Sequence, residues 1–199
     1  MSDHAVDNSE DLKLVAQCRS GDTRAFEKLV VRHQRSIYNI ALRIIGNEAD
    51  AAEIAQETFL SAWHKISDFR GDAKFSTWLT SIAINQARSQ WQHNQQKRAR
   101  EESLNGGNEV LDGPPLQVAS EQPSALEMME QSQLRELLAR CIEALEQGFR
   151  EVLVLRDMRD MAYDEIGRIL GLRDGTVKSR LFRAREAVKD CVSKGMGKK

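Results

Sequence analysis

The sequence is poor in the residues on which most catalytic and metal chemistry is built. Three cysteines (Cys18, Cys141, Cys191) and four histidines (His4, His33, His64, His93) are scattered over 199 residues. The cysteines are far apart and odd in number, so they match neither a disulfide framework nor a zinc spacing, and Cys18 and Cys141 read as small core residues. The histidines form no ligand pair at helical spacing. No metal and no cofactor is expected. Gly-x-Ser-x-Gly and the phosphate-binding Gly-x-x-x-x-Gly-Lys are both missing, and Gly106-Gly107 lies in an acidic stretch that would repel phosphate, so no enzyme is expected. No apolar run approaches the roughly 20 residues needed to span a bilayer. The stretch Met1 to Asp11 is acidic and polar, unlike a signal peptide. The expectation is a cytoplasmic protein that does not insert into a membrane. No alternating strand pattern of useful length occurs, which leaves an all-α fold.

Charge of one sign is also lacking overall: the net charge is −1. Its distribution is uneven, however. From Glu101 to Glu127 there are six acids and no Lys or Arg. From Thr176 to Lys199 there are eight basic residues against two acids, and from Gln86 to Arg100 four basic residues and no acid. Two positive patches separated by an acidic stretch are compatible with a nucleic-acid binder that is nearly neutral as a whole.

Helical periodicity runs through most of the chain. Asp11 to Ser20 forms a short helix stopped by Gly21. Asp22 can cap a second, with Phe26, Leu29, Val30, His33, Ile37, Ile40, Ala41, Ile44 and Ile45 inward, ending at Gly46-Asn47. Asp50 opens a third, with Ala51, Ile54, Ala55, Phe59, Ala62 and Ile66 inward. After the loop Asp68 to Lys74, a long helix spans about Phe75 to Arg98. Residues Glu101 to Ser124 then hold all three prolines and few apolar side chains, which is a linker composition. The helical period resumes at Ala125, and a further run covers Phe149 to Met158. The reading is two small helical domains, residues 1–100 and 125–199, joined by a flexible acidic linker at residues 101–124.

Near the C-terminus, Met161 to Gly171 and Leu172 to Val188 read as helix, tight turn, helix. The first helix buries Ile166, Ile169 and Leu170 and ends at Gly171, a position suited to a left-handed residue. Asp174 can cap the second. Val177, Leu181, Ala184 and Val188 make its apolar stripe. Lys178, Arg180, Arg183 and Arg185 lie off that stripe, free for phosphates or base edges, as in a helix that enters the DNA major groove. A second candidate surface is the stretch Phe69 to Trp91, where aromatics mix with basic and amide side chains. Aromatic planes stack on unpaired bases while neighbouring cations hold the backbone. Trp78 there reads as core in preference to a stacking platform.

Together these segments resemble the extracytoplasmic-function class of bacterial sigma factors, closest to its envelope-stress subgroup. The strings that carry the resemblance are Gly21-Asp-Thr-Arg-Ala-Phe-Glu-Lys-Leu-Val30, Asp50-Ala-Ala-Glu-Ile-Ala-Gln-Glu-Thr-Phe-Leu60, Phe69-Arg-Gly-Asp72, Ser76-Thr-Trp-Leu-Thr-Ser-Ile-Ala-Ile-Asn85 and Gly175-Thr-Val-Lys-Ser-Arg-Leu-Phe-Arg-Ala-Arg185. The resemblance implies a sigma region 2 followed by a region 4, with RNA polymerase core (β and β′ subunits), promoter DNA and an anti-sigma factor as partners. It implies a polymerase-docking face at Asp50, Glu53, Gln56, Glu57, Leu60 and Trp63, although Trp63 could equally pack inside. It implies −10 contacts from Arg70, Gly71, Asp72, Lys74, Phe75, Asn85 and Arg88. For the −35 element it implies Thr176, Lys178, Ser179, Arg180, Phe182 and Arg183, with Arg180 and Arg183 foremost. The family often has Leu-Pro where this chain has Leu145-Glu146, so a looser turn is expected there. It usually has Ser or Thr where Ala162 stands, so a weaker helix cap is expected. The rival reading is a conventional helix-turn-helix regulator, but the N-terminal half carries neither a ligand-pocket pattern nor an α/β pattern.

The family's two promoter elements lie about 70–80 Å apart, two helical turns of duplex. A flexible linker of this length averages only about 25–30 Å end to end and stretches to about 80 Å. The isolated protein is therefore expected to bind promoter duplex weakly, with specificity appearing once polymerase core spaces the two domains.

Overall fold

A computed structural model describes residues 8–102 and 125–197, with side chains placed in 8–95 and 132–197. The expected linker, apart from Glu101 and Glu102, lies outside the described residues. Among the described residues the regular structure is helical, with no strand. The chain divides in the main into two units, residues 1–107 and 108–199.

The N-terminal unit is built on four helices: α1 (Asn8–Arg19), α2 (Thr23–Ile45), α3 (Glu48–His64) and α4 (Phe75–Glu102), with a 3₁₀ turn at Ile66–Asp68. Local chemistry sets their ends. The Asp22 carboxylate accepts hydrogen bonds from the Arg24 and Ala25 amides at 2.9 and 3.3 Å, so α2 starts where the sequence places it. Gly46 ends α2, its amide donating to the Leu42 carbonyl at 2.8 Å. The cap of α3 is Asn47, not Asp50: the Asn47 side chain accepts from the Asp50 amide at 3.0 Å, leaving Asp50 inside the first turn. Helix α1 likewise begins three residues earlier than its apolar period indicates, at Asn8. Asn8 has a further task, since its side-chain oxygen accepts from the Phe75 amide at the start of α4.

Helix α2 is the spine, packed against α1, α3 and α4. Leu29, Ile37, Ile40, Ala41 and Ile44 are fully or almost fully buried. Each large aliphatic side chain so buried contributes about 1.5–3 kcal/mol. One buried position on this face is polar. His33 Nε2 lies 2.9 Å from the buried carboxylate of Asp11, and Arg32 donates to the other Asp11 oxygen at 3.0 Å and to Glu10. The Glu10 carboxylate, then Asp11, raise the Arg32 pKa above its ordinary value. This cluster fastens α1 to α2 through groups that would otherwise be costly to bury. Arg19, at the end of α1, donates to the carbonyls of Ile66 and Phe69 and so pins the turn that leads toward α4.

The C-terminal unit comprises α5 (Ala125–Glu143), α6 (Gln147–Leu153) continued by a π-helical turn (Val154–Met158), α7 (Tyr163–Leu170) and α8 (Asp174–Gly195). Helices α5 and α6 pack on α8. Two expectations are corrected. Cys141 of α5 and Cys191 of α8 are disulfide-bonded, their Cα atoms 5.7 Å apart, and Cys18 alone is free. Fifty residues separate the pair, so no short-range spacing could reveal it. The turn at Leu145-Glu146 is held firmly without proline. Buried Arg150 donates to the carbonyls of Glu143 and Leu145, and Glu146 has φ −56°, the value a proline would impose. Burial pushes the Arg150 pKa down, against the opposing carboxylates of Glu143 and Glu151.

Candidate nucleic-acid interface

The helix-turn-helix is assembled by short-range contacts. Ala162 offers no capping oxygen to α7, yet its amide donates to the Glu165 carboxylate at 3.0 Å. Half of a capping box therefore survives the loss of Ser or Thr. Gly171 has φ +68°, which ends α7 in the left-handed conformation. The turn then doubles back tightly enough for the Leu172 amide to donate to the Gly167 carbonyl at 2.9 Å. A Cβ at Gly167 would meet the Leu172 carbonyl oxygen at 2.7 Å, so glycine is required inside α7 as well as after it. Arg173, extended at φ −77° and ψ 149°, precedes the first turn of α8. Asp174 is thus the first helical residue and not the cap; there its charge faces the positive end of the helix dipole.

Helix α8 has a buried face of Val177, Leu181 and Ala184. On its exposed side lie Lys178, Ser179, Phe182 and Arg183, with Thr176 half-buried. Phe182 is 67% exposed, a large aromatic surface left open on a cationic helix. Two of the four cations read as free are engaged otherwise. Arg185 makes a bidentate pair with Asp157, at 2.9 and 2.5 Å, which raises its pKa. Arg180 is half-buried against α6, with Nη1 3.0 Å from the position of a Cβ on Gly148. Arg180, read as a foremost base-contacting residue, is thus partly taken up by packing, since the glycine makes room for its guanidinium. Lys178 lies over the Tyr163 ring, 5.6 Å from its centroid, and Arg156 lies 5.2 Å from the same centroid. Arg183 stands out as the exposed cation next to Phe182.

In the N-terminal unit the structure separates residues that the sequence groups together. Arg70, Gly71, Asp72 and Lys74 are exposed in the loop before α4, and Asn85 is exposed on its outer side, with Arg88 half-buried one turn on. Phe75 is completely buried. It packs at centroid distances of 5.5 Å from His33 and 5.7 Å from both Phe69 and Trp78. Phe75 is thus corrected from a base-contacting to a core residue: the aromatic cluster closes the N-terminal unit beneath the loop. Trp78 is half-buried in the same cluster.

On α3, Glu53, Gln56, Glu57 and Leu60 are exposed, Leu60 at 46%. Asp50 is half-buried and accepts from the Asn94 side chain of α4 at 2.9 Å. Trp63 is half-buried against Phe26 of α2, ring centroids 5.0 Å apart. The inward and outward alternatives for Trp63 are both partly realised: one side of the indole packs and the remainder is accessible. A cleft of about 330 Å³ separates this face from α4, lined by Glu53, Ile54, Glu57, Gln86, Ser89, Gln90 and His93.

Sequence reasoning missed Asp11, Arg19, Arg150 and Asp157, whose partners lie outside the local periodicity. It also missed Gly167, for which the one available signal was a glycine inside a strongly amphipathic helix.

Family models for sigma-70 region 2 and sigma-70 region 4 match residues 29–97 and 135–188. The RNA polymerase sigma-H factor of Pseudomonas aeruginosa is 31% identical over 179 residues, 90% of this chain and 92% of that protein. The ECF RNA polymerase sigma-E factor of Escherichia coli K12 is 33% identical over 180 residues, 89% and 92% of the two chains. Among solved structures, CnrH in complex with the cytosolic domain of CnrY is similar at a TM-score of 0.65 and 27% identity, over 92% of this chain and 97% of that one. The chain belongs to the ECF RNA polymerase sigma factors, with region 2 in its first unit and region 4 in its second.

Proposed function

We propose that this sigma factor divides promoter recognition between separated and paired DNA. Arg70, Gly71, Asp72 and Lys74 in the loop before α4, with Asn85 and Arg88 on α4, contact the separated strand of the −10 element. Helix α8 enters the major groove of the −35 element, with Arg183 reading a base edge, Phe182 in apolar contact, and Thr176, Lys178 and Ser179 holding the backbone. A bidentate arginine–guanine contact supplies roughly 1–3 kcal/mol of discrimination. The exposed face of α3 (Glu53, Gln56, Glu57, Leu60 and the open side of Trp63) docks on polymerase core, and Asp50 supports that face through Asn94. The boundaries 1–100 for region 2, 101–124 for the connector and 125–199 for region 4 belong to the same proposal.

The observation that carries this reading is α8 itself: Phe182 and Arg183 exposed side by side, above a fully buried stripe, behind a turn that glycine at 167 and 171 favours. On this reading the protein performs no chemistry of its own and works in the cytoplasm, where polymerase works. Among the described residues no helix is long and apolar enough to cross a membrane. A further partner on this reading is an anti-sigma factor; the similar CnrH is itself found in complex with another protein, the cytosolic domain of CnrY.

Run-off transcription with purified core tests the proposal. Promoter-specific transcripts are expected only when the protein is added. A conventional regulator would leave bare core non-specific. Asn85→Ala is expected to impair −10 use while −35 duplex binding persists, and Arg183→Ala to do the reverse. A common phenotype for both would overturn the partition of roles. Without core, mobility shifts are expected to show only weak promoter binding.

A further inference from the structure

The cross-link in the C-terminal unit sits at an uneven place. Cys141 is 2% exposed, whereas Cys191, four residues before the end of α8, is half-buried and the more exposed of the two. Among the described side chains of α5, only Cys141 and Ile142 are buried. Leu134 and Leu138 are 46% and 39% exposed, and Leu137 rests against Gly195. Among the described side chains of α5, a small apolar contact and one covalent bond join it to α8. The two Cα atoms stand at an ordinary separation for a disulfide, so the bond forms in the folded unit without strain on the backbone positions. Charged side chains surround Cys191 along the chain: Asp190 adjoins it, Lys189 is paired with Glu186 at 3.5 Å, and Lys194 lies three residues on.

We propose that Cys141 and Cys191 form a reversible redox site, a clasp that fixes α5 on the reading helix when oxidised and frees it when reduced. In the oxidising direction, the Cys191 thiolate attacks a hydroperoxide, giving a sulfenic acid and one molecule of water or alcohol. The Cys141 thiol then displaces hydroxide from that sulfur, and the S–S bond forms as a water leaves. In the reducing direction, a low-molecular-weight thiol such as glutathione attacks the more exposed Cys191 sulfur and expels the Cys141 thiol. A second thiol resolves the mixed disulfide and carries the oxidation away as its own disulfide. The closed loop of about 50 residues encompasses α6, α7 and nearly all of α8. Constraining a loop of that length raises the melting temperature of a small unit by roughly 10 °C or more. The consequence for transcription rests on the sigma-factor reading above; the bond and its thermal effect do not.

The full-length protein is equilibrated in glutathione buffers from strongly reducing to strongly oxidising, and its free thiols are counted in denaturant. The count is expected to fall from three to one, because Cys18 stays free. Over the same buffers the melting transition assigned to the C-terminal unit is expected to rise by roughly 10 °C. Cys191→Ala, at the more exposed position, and Cys141→Ala are each expected to abolish the shift. A count that stays at three or at one throughout, or a shift that persists in both variants, overturns the clasp without touching the family assignment. Run-off transcription after a heat challenge between the two melting temperatures is expected to survive in the oxidised form and fall at least threefold in the reduced form. Equal loss in both would overturn the functional consequence.

Discussion

The two units of this sigma factor place their aromatic residues in opposite ways. In the N-terminal unit the conspicuous aromatics turn inward, and a hydrogen-bonded charge cluster goes in with them: Phe69 and Phe75 are buried, as are His33 and Asp11. The side chains left exposed on the loop before α4 and at Asn85 are polar. In the C-terminal unit the core is aliphatic around two buried charged residues, Arg150 and Glu151, and an aromatic is set outside: Phe182 stays exposed beside Arg183. Burial prunes the candidates in the first unit, and pairing or packing prunes them in the second, where Arg185 goes to Asp157 and Arg180 to α6. Reading side-chain types along a helix therefore overstates which side chains are open and unengaged in both units, for two separate physical reasons.

The sharpest way to break that comparison is Phe75→Ala. If Phe75 is core, its removal costs about 3–5 kcal/mol, because a fully buried ring leaves a cavity among His33, Phe69 and Trp78. The urea transition of the N-terminal unit should move accordingly. Unchanged stability with lost −10 binding would return Phe75 to the DNA surface and make the two units alike. Gly167→Ala is the corresponding test in the C-terminal unit. The added methyl meets backbone oxygen, which cannot swing aside as a side chain can. A destabilisation of about 2 kcal/mol and loss of −35 duplex binding are expected. Wild-type melting and binding would show that the turn has slack.

A smaller effect separates the two arginines of α8. Arg183→Ala should weaken specific −35 duplex binding by roughly 1–3 kcal/mol, about 5- to 150-fold. Arg185→Ala removes an exposed pair with Asp157 and should cost no more than about 1 kcal/mol of stability. Its effect on duplex affinity should be a fewfold at most. Equal losses of affinity would mean that the Asp157 pair opens on DNA.

These contrasts explain which features were legible in the chain. Periodicity and caps act within four residues, so the helices, the Asp22 cap, the Gly171 stop and the stripe of α8 could be read directly. The two-domain all-helical organisation followed from them. What could not be read depends on meetings across many residues: Asp11 with His33 is 22 residues apart, Asp157 with Arg185 is 28, and Cys141 with Cys191 is 50. Phe75 illustrates the limit at the candidate site. Its position before an amphipathic helix is compatible with either face, and only the closing of α1, α2 and the turn around it decides for the core. The exposure of Lys178 and Arg183 was legible because both lie off the apolar stripe of α8, although the contact of Lys178 with the Tyr163 ring was not.

The least change in stability is expected at Leu145-Glu146, where it bears on how each unit fixes its turns. The N-terminal unit fixes its turn at Ile66–Phe69 with Arg19, and the C-terminal unit fixes this one with Arg150, which reaches the carbonyls of Glu143 and Leu145. Glu146 makes no side-chain cap bond to α6, and its φ of −56° already lies in the proline range. Glu146→Pro should therefore raise stability by about 0.4–1 kcal/mol, by narrowing the unfolded ensemble without disturbing the turn. If Arg150 alone fixes the turn in the folded state, the gain should persist when the unfolding is measured in Arg150→Met. If proline and Arg150 do the same work, the gain should grow in that background, because the turn then has nothing else to hold it. The double-mutant cycle decides between these, and a destabilising Glu146→Pro would show that the amide of residue 146 is needed in the turn.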